Sequence, residues 1–304
     1  MEEIALDMMG KSPAAGAEYK RALVLTLAAP VFWSFGGIGI RLVDADPWVI
    51  AFWRAPFMCL TILAFIFWRE RSGTLQAFKA IGISGLLASV FLGAGIPLYV
   101  LSITRTTVAN TVVLLATAPF FSAILGWLIL KERVRMRTWL AILLAMTGVF
   151  IMVLDSVGRG RLLGDLLGLG CAVTLAGHIV TVRLGHRVSM IPAVCLAAFI
   201  CAAATGLMVD ILQISIRDIG ILAFLGTFQL GLGFCLFVTG SRHLPSAHSG
   251  IITLLEAVLG PLWVWIFLGE QPSQGGFIGG IIVVTSLVTH TIVASCHMTR
   301  PHSS

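Results

Sequence analysis

Long apolar runs alternate with short polar breaks along the whole chain. Ten runs are each long enough to cross about 30 Å of hydrocarbon, which takes about 20 helical residues. They are continuously apolar rather than alternating, so they predict helices and not the strands of a barrel. The predicted spans are residues 21–41, 47–68, 80–101, 107–130, 138–155, 163–184, 189–210, 218–239, 246–268 and 276–296.

Composition supports a membrane protein, and the placement of its charges argues against a nucleic-acid-binding protein. The chain has 304 residues, of which 58% are hydrophobic and only 11% charged, whereas a soluble domain carries about 25% charged residues. We therefore predict an all-α integral membrane protein. The net charge of +6 does not indicate nucleic-acid binding, because the basic residues lie in short loops between apolar runs, as membrane topology requires.

The distribution of Lys and Arg predicts the orientation. Cytosolic segments carry an excess of basic residues. With the N-terminus inside, about fourteen Lys and Arg fall on the cytosolic side. The opposite side carries Arg41, Arg105, Arg159, Arg161 and Arg217. We predict a multi-pass protein of the cell inner membrane with an uncleaved cytosolic tail at 1–20 and a second cytosolic tail at 297–304.

One phrase occurs twice. Residues 116–132 read ATAPFFSAILGWLILKE and residues 254–270 read LLEAVLGPLWVWIFLGE, which aligns Trp127 with Trp265 and Glu132 with Glu270. The chain thus divides into two repeats, 21–155 and 163–296, each with five predicted spans. Five is an odd number, so the second repeat enters the membrane inverted. Inverted repeats are typical of secondary transporters, whose similar halves rock around a central site.

The quoted phrases resemble a known family. Residues 109–153, including LLATAPFFSAILGWLILKE, are similar to the fourth and fifth helices of an EamA repeat of the drug/metabolite transporter superfamily. Residues 246–287 resemble the second copy. The stretches AFWRAPFMCLTIL (51–63) and GDLLGLGCAV (164–173) are similar to other EamA helices.

This resemblance implies a ten-helix carrier that exports small metabolites. The first, third and fourth helices of each repeat would surround a central cavity, and the second and fifth would be more peripheral. The chain departs from the family pattern at Glu256–Ala257, where the second repeat usually has Glu-Pro. The first repeat keeps Pro119 at the position matching Ala257, so the ninth span is predicted to lack a bend at 257. The alternative is that Pro261, one turn on, displaces the kink rather than abolishing it.

Glu256 is the acidic residue that this assignment places well inside a span. A charge at the membrane centre costs at least about 2.5–3.5 kcal/mol, so such a residue faces the bundle interior or a water-filled cavity. Two functional hypotheses follow: Glu256 binds a cationic or amino group of the substrate, or it exchanges a proton and couples transport to the proton gradient. The alternative is a carboxylate that only packs between helices.

Other polar or aromatic groups are candidates for the same cavity. They are Trp33, Ser34, Tyr99, Asn110, His178, Gln229 and His248. Each has a packing alternative, since polar side chains also hydrogen-bond across helix interfaces in membranes. We expect Arg54 to snorkel or to pair with Asp44 or Asp46, with contact to the substrate as the less favoured alternative. We expect Glu132 to neutralise the arginines beside it.

The chain has no motif for chemistry. Its six cysteines are not spaced as metal ligands and are expected to pack as small hydrophobes. HExxH, carboxylate-cluster and phosphate-loop patterns are lacking, so we predict no enzyme activity, no metal and no cofactor.

The leading hypothesis is a secondary transporter that exports small organic metabolites, such as amino acids or related compounds, by alternating access. Its partners would be a small-molecule substrate, membrane lipid and, under the coupling hypothesis, a proton, but not nucleic acid. It would act as a monomer or homodimer. The alternatives are a multidrug or other solute carrier working by uptake or exchange, a channel, and a non-transport membrane enzyme or assembly factor.

Overall fold

The computed structural model describes residues 13–131, 136–157, 159–185, 188–208, 214–241 and 246–298, although some side chains within these ranges, including that of His248, lie outside the description. All regular elements in these ranges are helical. The α-helices are α1 (Pro13–Arg41), α2 (Pro47–Glu70), α3 (Thr74–Ala80), α4 (Gly82–Arg105), α5 (Val108–Leu115), α6 (Ala118–Leu130), α7 (Met136–Val157), α8 (Leu162–Leu184), α9 (Ile191–Gly206), α10 (Ile216–Phe224), α11 (Gly233–Ser241), α12 (Ser246–Leu268) and α13 (Gln274–Met298). A 3₁₀ turn (Arg71–Gly73) precedes α3, and a π-helix (Leu225–Leu232) joins α10 to α11.

Seven helical stretches in the described residues are long and apolar enough to cross a membrane. They are Tyr19–Arg41, Pro47–Glu70, Gly82–Arg105, Val108–Leu130, Thr138–Val157, Leu162–Leu184 and Ile216–Ser241. Shorter apolar helices, Ile191–Gly206, Leu255–Leu268 and Gln274–Thr289, occupy the other three predicted spans. The protein is therefore a multi-pass, all-helical membrane protein, and the count of ten spans stays a prediction.

Large apolar side chains cover much of the bundle surface. Trp68, Ile83 and Leu207 are examples, each more than two thirds exposed. Water would disfavour such a surface, but lipid tails are as apolar as these side chains, so the outside of the bundle suits hydrocarbon.

The most extensive helix contacts join a helix of one half of the chain to a helix of the other half. Helix α1 packs against α11 and α12, while its counterpart α8 packs against α4 and against α5 and α6. Helix α2 packs against its counterpart α9, and α7 against its counterpart α13. Every one of these contacts maps onto another, or onto itself, when the halves are exchanged. This is the pattern expected of two similar five-helix halves related by an approximate twofold axis.

The contact between α7 and α13 depends on glycine. A Cβ atom built on Gly148 would lie 2.6 Å from the carbonyl oxygen of Gly279, and one built on Gly279 would collide with the carbonyl oxygen of Gly148. Without side chains at these positions, dispersion contacts between backbones can hold the helices together, which matters because lipid provides no hydrophobic force between them.

The fourth and ninth spans differ as the Pro119 and Ala257 positions predict. Helix α5 ends at Leu115, a turn follows at 116–117, and α6 begins with Pro119 in its first turn. Pro119 has no N–H to continue the hydrogen-bond ladder and disfavours helical geometry at the residue before it. In contrast, α12 runs unbroken through Glu256 and Ala257 and contains Pro261.

We predict that Gly279→Ala lowers the apparent unfolding temperature of the detergent-solubilised protein, because overpacking costs about 1–3 kcal/mol. The control is Gly280→Ala on the same helix, where the added Cβ meets Val113 at an ordinary 3.6 Å and alanine favours the helix by up to about 1 kcal/mol. Equal melting of the two variants at one scan rate would contradict this account of the α7–α13 contact.

Candidate transport cavity

A cavity of about 160 Å³ lies inside the bundle. Its polar and aromatic lining is Trp33, Arg54, Tyr99, Cys171, Thr174, Gln229 and Glu256; its apolar lining includes Leu92, Ile96, Leu115, Leu175, Leu230 and Phe234. These residues come from the first, third and fourth spans of both halves, which are the helices implied by the family resemblance. Arg54, from α2, is the one addition in the described lining.

The cavity lies deep in the bundle. The charge bias predicts that the helix ends at Arg41, Arg105 and Leu268 are extracytoplasmic, and we call this the outer face. At 1.5 Å per residue, Trp33 and Tyr99 lie about 9–12 Å from that face, and Glu256 about 18 Å. In a hydrocarbon layer of about 30 Å, these depths place the cavity near the middle of the membrane.

The expectation that Arg54 snorkels or pairs with Asp44 or Asp46 is wrong. Arg54 is only 1% exposed, and its Nη2 donates a 2.7 Å hydrogen bond to Oε1 of Gln229. Asp46 instead accepts a hydrogen bond from the backbone N–H of Trp48 and caps α2. Arg54 lies seven residues beyond Pro47, about 10 Å into the helix, and there the facing π-helix packs against α2 and the side chain of Arg54 is buried.

The π-helix brings Gln229 to Arg54. Gly226 lies directly against the backbone of α2, since a Cβ there would collide with the carbonyl oxygen of Arg54. Gly231 has the same role beside Thr61, because a Cβ atom built on Gly231 would lie 2.7 Å from the Cβ of Thr61. The Nε2 of Gln229 donates to the carbonyl oxygen of Trp33 at 3.2 Å. Gln229 therefore joins α1 to α2. Apolar periodicity does not distinguish a π-turn from an α-turn, so the sequence could not reveal this feature, although π-turns are frequent at functional sites.

Glu256 lies on the opposite half from Arg54 and also lines the cavity. The side chain is partly buried, and no hydrogen bond or ion pair joins it to any other residue that the structure describes. The cavity thus contains a cation and a carboxylate that do not pair with each other. A partly desolvated carboxylate without a protein partner is poised to meet a mobile cation or proton.

Gly36 leaves room beside two other polar groups of the cavity. A Cβ atom at this position would lie 3.0 Å from Nε2 of Gln229 and 3.2 Å from Oη of Tyr99. Trp33, three residues earlier, packs against Phe234 and Phe237 with ring centroids 5.4 and 5.3 Å apart. The lining of the cavity therefore combines aromatic rings with hydrogen-bonding groups.

The described lining of this cavity does not include Ser34 or His178. Ser34 accepts a 2.9 Å hydrogen bond from Nε1 of Trp263, and Nδ1 of His178 lies 2.9 Å from the carbonyl oxygen of Ala88. Both contacts join neighbouring helices. The side chain of His248 lies outside the described residues. A role for any of these three in transport stays a prediction.

Asn110 belongs to a polar network between α5 and α8. Its Nδ2 donates to Asp165 at 3.2 Å and to Ser156 at 3.2 Å, and Thr106 donates to the same Asp165 carboxylate at 2.6 Å. These groups are buried and hold the two halves together at the outer face. The amide therefore has structural partners, and its proposed contact with solute stays a prediction.

A second link between the halves lies at the outer face. Nε of Arg41, at the end of α1, is 3.0 Å from Oε2 of Glu270, which follows α12. Oε1 of Glu270 also accepts the backbone N–H of Val108 at 2.9 Å, and Arg41 donates to the carbonyl oxygen of Thr106 at 2.8 Å. We call this set the Arg41–Glu270 clasp. Its repeat counterpart, Glu132, lies outside the described residues.

The clasp borders a wider opening. This outer vestibule has a volume of about 470 Å³ and is lined by Arg41, Thr104, Arg105, Thr106, Thr107, Arg161, Leu268, Glu270 and Gln271. Three of these residues are arginines, and one carboxylate faces them, so the vestibule is positively charged. Helices α1 and α4 connect it with the cavity about 9–12 Å below.

Two interlocked helical halves around a cavity are typical of membrane transporters. The sequence profile of the EamA-like transporter family matches residues 20–154 and 162–291. The chain belongs to this family, which is part of the drug/metabolite transporter superfamily.

Related proteins also carry transporter names. The uncharacterized transporter YwfM of Bacillus subtilis is 26% identical over 211 residues, 66% of this chain and 71% of that protein. The pseudopaline exporter CntI of Pseudomonas aeruginosa is 22% identical over 75% of this chain and 81% of its own length. The biotin transporter of Escherichia coli is 24% identical over 88% and 92%, respectively. A crystal structure with 17% identity shares the fold with a TM-score of 0.61, covering 90% of this chain and 98% of that one.

We predict that Gln229→Leu destabilises the protein by about 2–3 kcal/mol, because it removes the acceptor of a buried charged donor. Adding Arg54→Met to this variant removes the stranded charge, so the double variant should regain most of the lost stability. Apparent melting temperatures of the four members of this cycle test the coupling. Strictly additive losses would show that the Arg54–Gln229 hydrogen bond contributes nothing.

Proposed function

We propose that the protein is a secondary transporter of the inner, or plasma, membrane that exports small organic metabolites, such as amino acids or related compounds, by alternating access. Both termini are assigned to the cytosol from the excess of Lys and Arg in those segments. The observation that carries the proposal is the cavity near mid-membrane, lined by matching helices of both halves. Relatives named as an exporter and as a transporter support it.

Alternating access needs contacts that can break on one face while the site stays in place. The Arg41–Glu270 clasp is such a contact, because it joins the two halves at the outer face with a partly exposed ion pair. Its two side chains are 28% and 23% exposed, so water can solvate the separated charges when the clasp opens, which makes opening less costly than breaking a fully buried pair. The glycine contact of α7 with α13 buries backbone against backbone and would keep its partners through the movement.

The cavity favours a compact solute. Its volume of about 160 Å³ is close to that of a cavity that holds benzene, about 150 Å³. Leucine, isoleucine and phenylalanine side chains cover one part of the wall and polar groups another. A solute with a small apolar part and hydrogen-bonding ends would match both surfaces.

Glu256 has two alternative tasks in this transporter. As a substrate ligand it would bind an amino or other cationic group of the solute. As a coupling residue it would take up a proton on one side of the membrane and release it on the other. Glu256 lines the cavity and has no hydrogen-bond or ion-pair partner among the described residues, which suits either task. The two tasks predict different experimental results.

The first test compares the medium of cells that lack and cells that overproduce the protein. We expect one or a few compounds to accumulate outside only with the active protein, and Glu256→Gln to reduce this accumulation about tenfold, which corresponds to about 1.4 kcal/mol. The control is Glu70→Gln, the same chemical change at an exposed site paired with Arg69. An unchanged medium would overturn the export proposal, and normal export by Glu256→Gln would make Glu256 structural.

Inverted vesicles separate the two tasks of Glu256. If Glu256 couples protons, dissipating the proton gradient stops net uptake of the exported compound, and Glu256→Gln still exchanges labelled for unlabelled compound. If Glu256 is only a ligand, uptake by the wild type does not depend on the gradient, and Glu256→Gln raises the half-saturating concentration.

A further prediction concerns the clasp. Cys171 lines the cavity and is a free thiol, so a variant with Cys171 as its sole cysteine reports access to the site. We expect Glu270→Gln to increase its labelling by a membrane-impermeant maleimide added outside intact cells, because the Arg41 and Val108 contacts weaken. Glu70→Gln is again the matched control. An unchanged labelling rate would show that the clasp does not close the outer path.

A further inference from the structure

The guanidinium group of Arg54 is incompletely paired. Nη2 donates to Gln229, but Nε and Nη1 are buried and have no hydrogen-bond partner among the described residues. The salt bridges found in the described part of the chain do not include Arg54, and the carboxylate of Glu256 in the same cavity does not reach it. Buried cations are normally paired, because desolvation without compensation costs several kcal/mol.

Arg54 is nevertheless held firmly in place. Its backbone lies against Gly226 of the π-helix, and the amide of Gln229 is fixed in turn by the carbonyl oxygen of Trp33. The side chain is therefore preorganised, with unsatisfied donors at the wall of a cavity. A site of this kind gains more from an anion than an exposed arginine does, because folding has already desolvated the cation.

We infer that Arg54 binds the anionic group of the transported solute, a carboxylate in the size range that the cavity allows, and that Gln229 positions the guanidinium for it. The inference rests on the proposed transport function and assigns a ligand to one wall of its site. Glu256, on the other half, faces the remainder of the same solute.

The outer vestibule fits this assignment. Arg41, Arg105 and Arg161 surround it, and only Arg41 has an ion-pair partner, Glu270, among the described residues. A positive field at the mouth of a path attracts anions and raises their local concentration. The outer vestibule and the wall of the cavity at Arg54 thus both favour anions.

The probe for this inference is propionate, with propionamide as its neutral analogue of nearly the same shape. Purified protein is unfolded thermally at constant ionic strength over a range of each compound. We expect propionate to raise the melting temperature in a saturable way, as a ligand of the native state does, and propionamide to have little effect. Arg54→Gln should raise the half-saturating concentration of propionate at least about tenfold, since one hydrogen bond to a charged group is worth about 1.5–3 kcal/mol. Arg69→Gln, at an exposed site, should retain the wild-type response.

A second variant keeps the test informative if Arg54→Gln fails to fold. In Gln229→Glu, a carboxylate of nearly the same shape is placed next to Arg54 and satisfies the guanidinium from within. The new carboxylate cannot replace the hydrogen bond that Nε2 of Gln229 donates to the carbonyl oxygen of Trp33, but its ion pair with Arg54 offsets part of that loss. We therefore expect this variant to fold and yet to lose the response to propionate. Equal effects of propionate and propionamide, or a retained response in Gln229→Glu, would overturn the assignment of Arg54.

Transport measurements test the assignment independently of thermal unfolding. If the compound found in the medium comparison has no acidic group, the role of Arg54 is refuted while the export function stands. If it has one, its carboxamide should be transported more slowly than the acid by the wild type, and Arg54→Gln should lose this preference. A purely structural arginine would lower the transport of both compounds equally and leave their ratio unchanged.

Discussion

The arrangement of the bundle depends on keeping charged and polar groups away from hydrocarbon. Lipid cannot hydrogen-bond a guanidinium or a carboxylate, so α2 and α12 must turn Arg54 and Glu256 toward the interior. With those faces fixed, the exposed faces of the helices carry large apolar side chains, and the inner faces meet through glycines. The hydrogen bonds of Gln229 to Arg54 and to Trp33 then join three helices at the level of the cavity. The cavity is the space these polar groups share.

Much of this architecture could be predicted from the sequence. Apolar run length predicts the membrane helices, of which seven in the described residues are long and apolar enough to span, and the repeated phrase around Trp127 and Trp265 predicts two halves. Both signals are local or periodic and do not depend on side-chain geometry. The break before Pro119 and the unbroken helix through Ala257 could be predicted for the same reason, since the missing N–H of proline acts on its own helix.

The partners of individual polar groups could not be predicted. The sequence suggests a place near the membrane surface for Arg54 because it follows the start of its helix closely, but the facing π-helix and Gly226 bury it. Asn110 and Ser34 are candidates for the cavity by sequence, yet each meets a residue distant in sequence, Asp165 and Trp263, respectively. Such contacts depend on how helices rotate about their axes, and an apolar run surrounded by lipid on one side and protein on the other specifies that rotation weakly.

The two halves are similar but not equal. The fourth span is interrupted where the ninth is continuous, and the eighth contains a π-turn where its counterpart α4 is a regular helix. Under the alternating-access proposal, identical halves would give inward- and outward-open forms of similar energy. These differences would make the two forms unequal in energy, and the solute would shift their populations by its different affinity for each form.

The opposite charges of the cavity have an electrical consequence. With Arg54 and Glu256 both ionised, the site carries no net charge, so a change of its access from one face to the other would transfer almost no charge across the membrane field. One elementary charge crossing 100 mV is worth about 2.3 kcal/mol, and the empty bundle avoids this term. The resting voltage of the cell would then neither drive the unloaded protein toward one face nor hold it there.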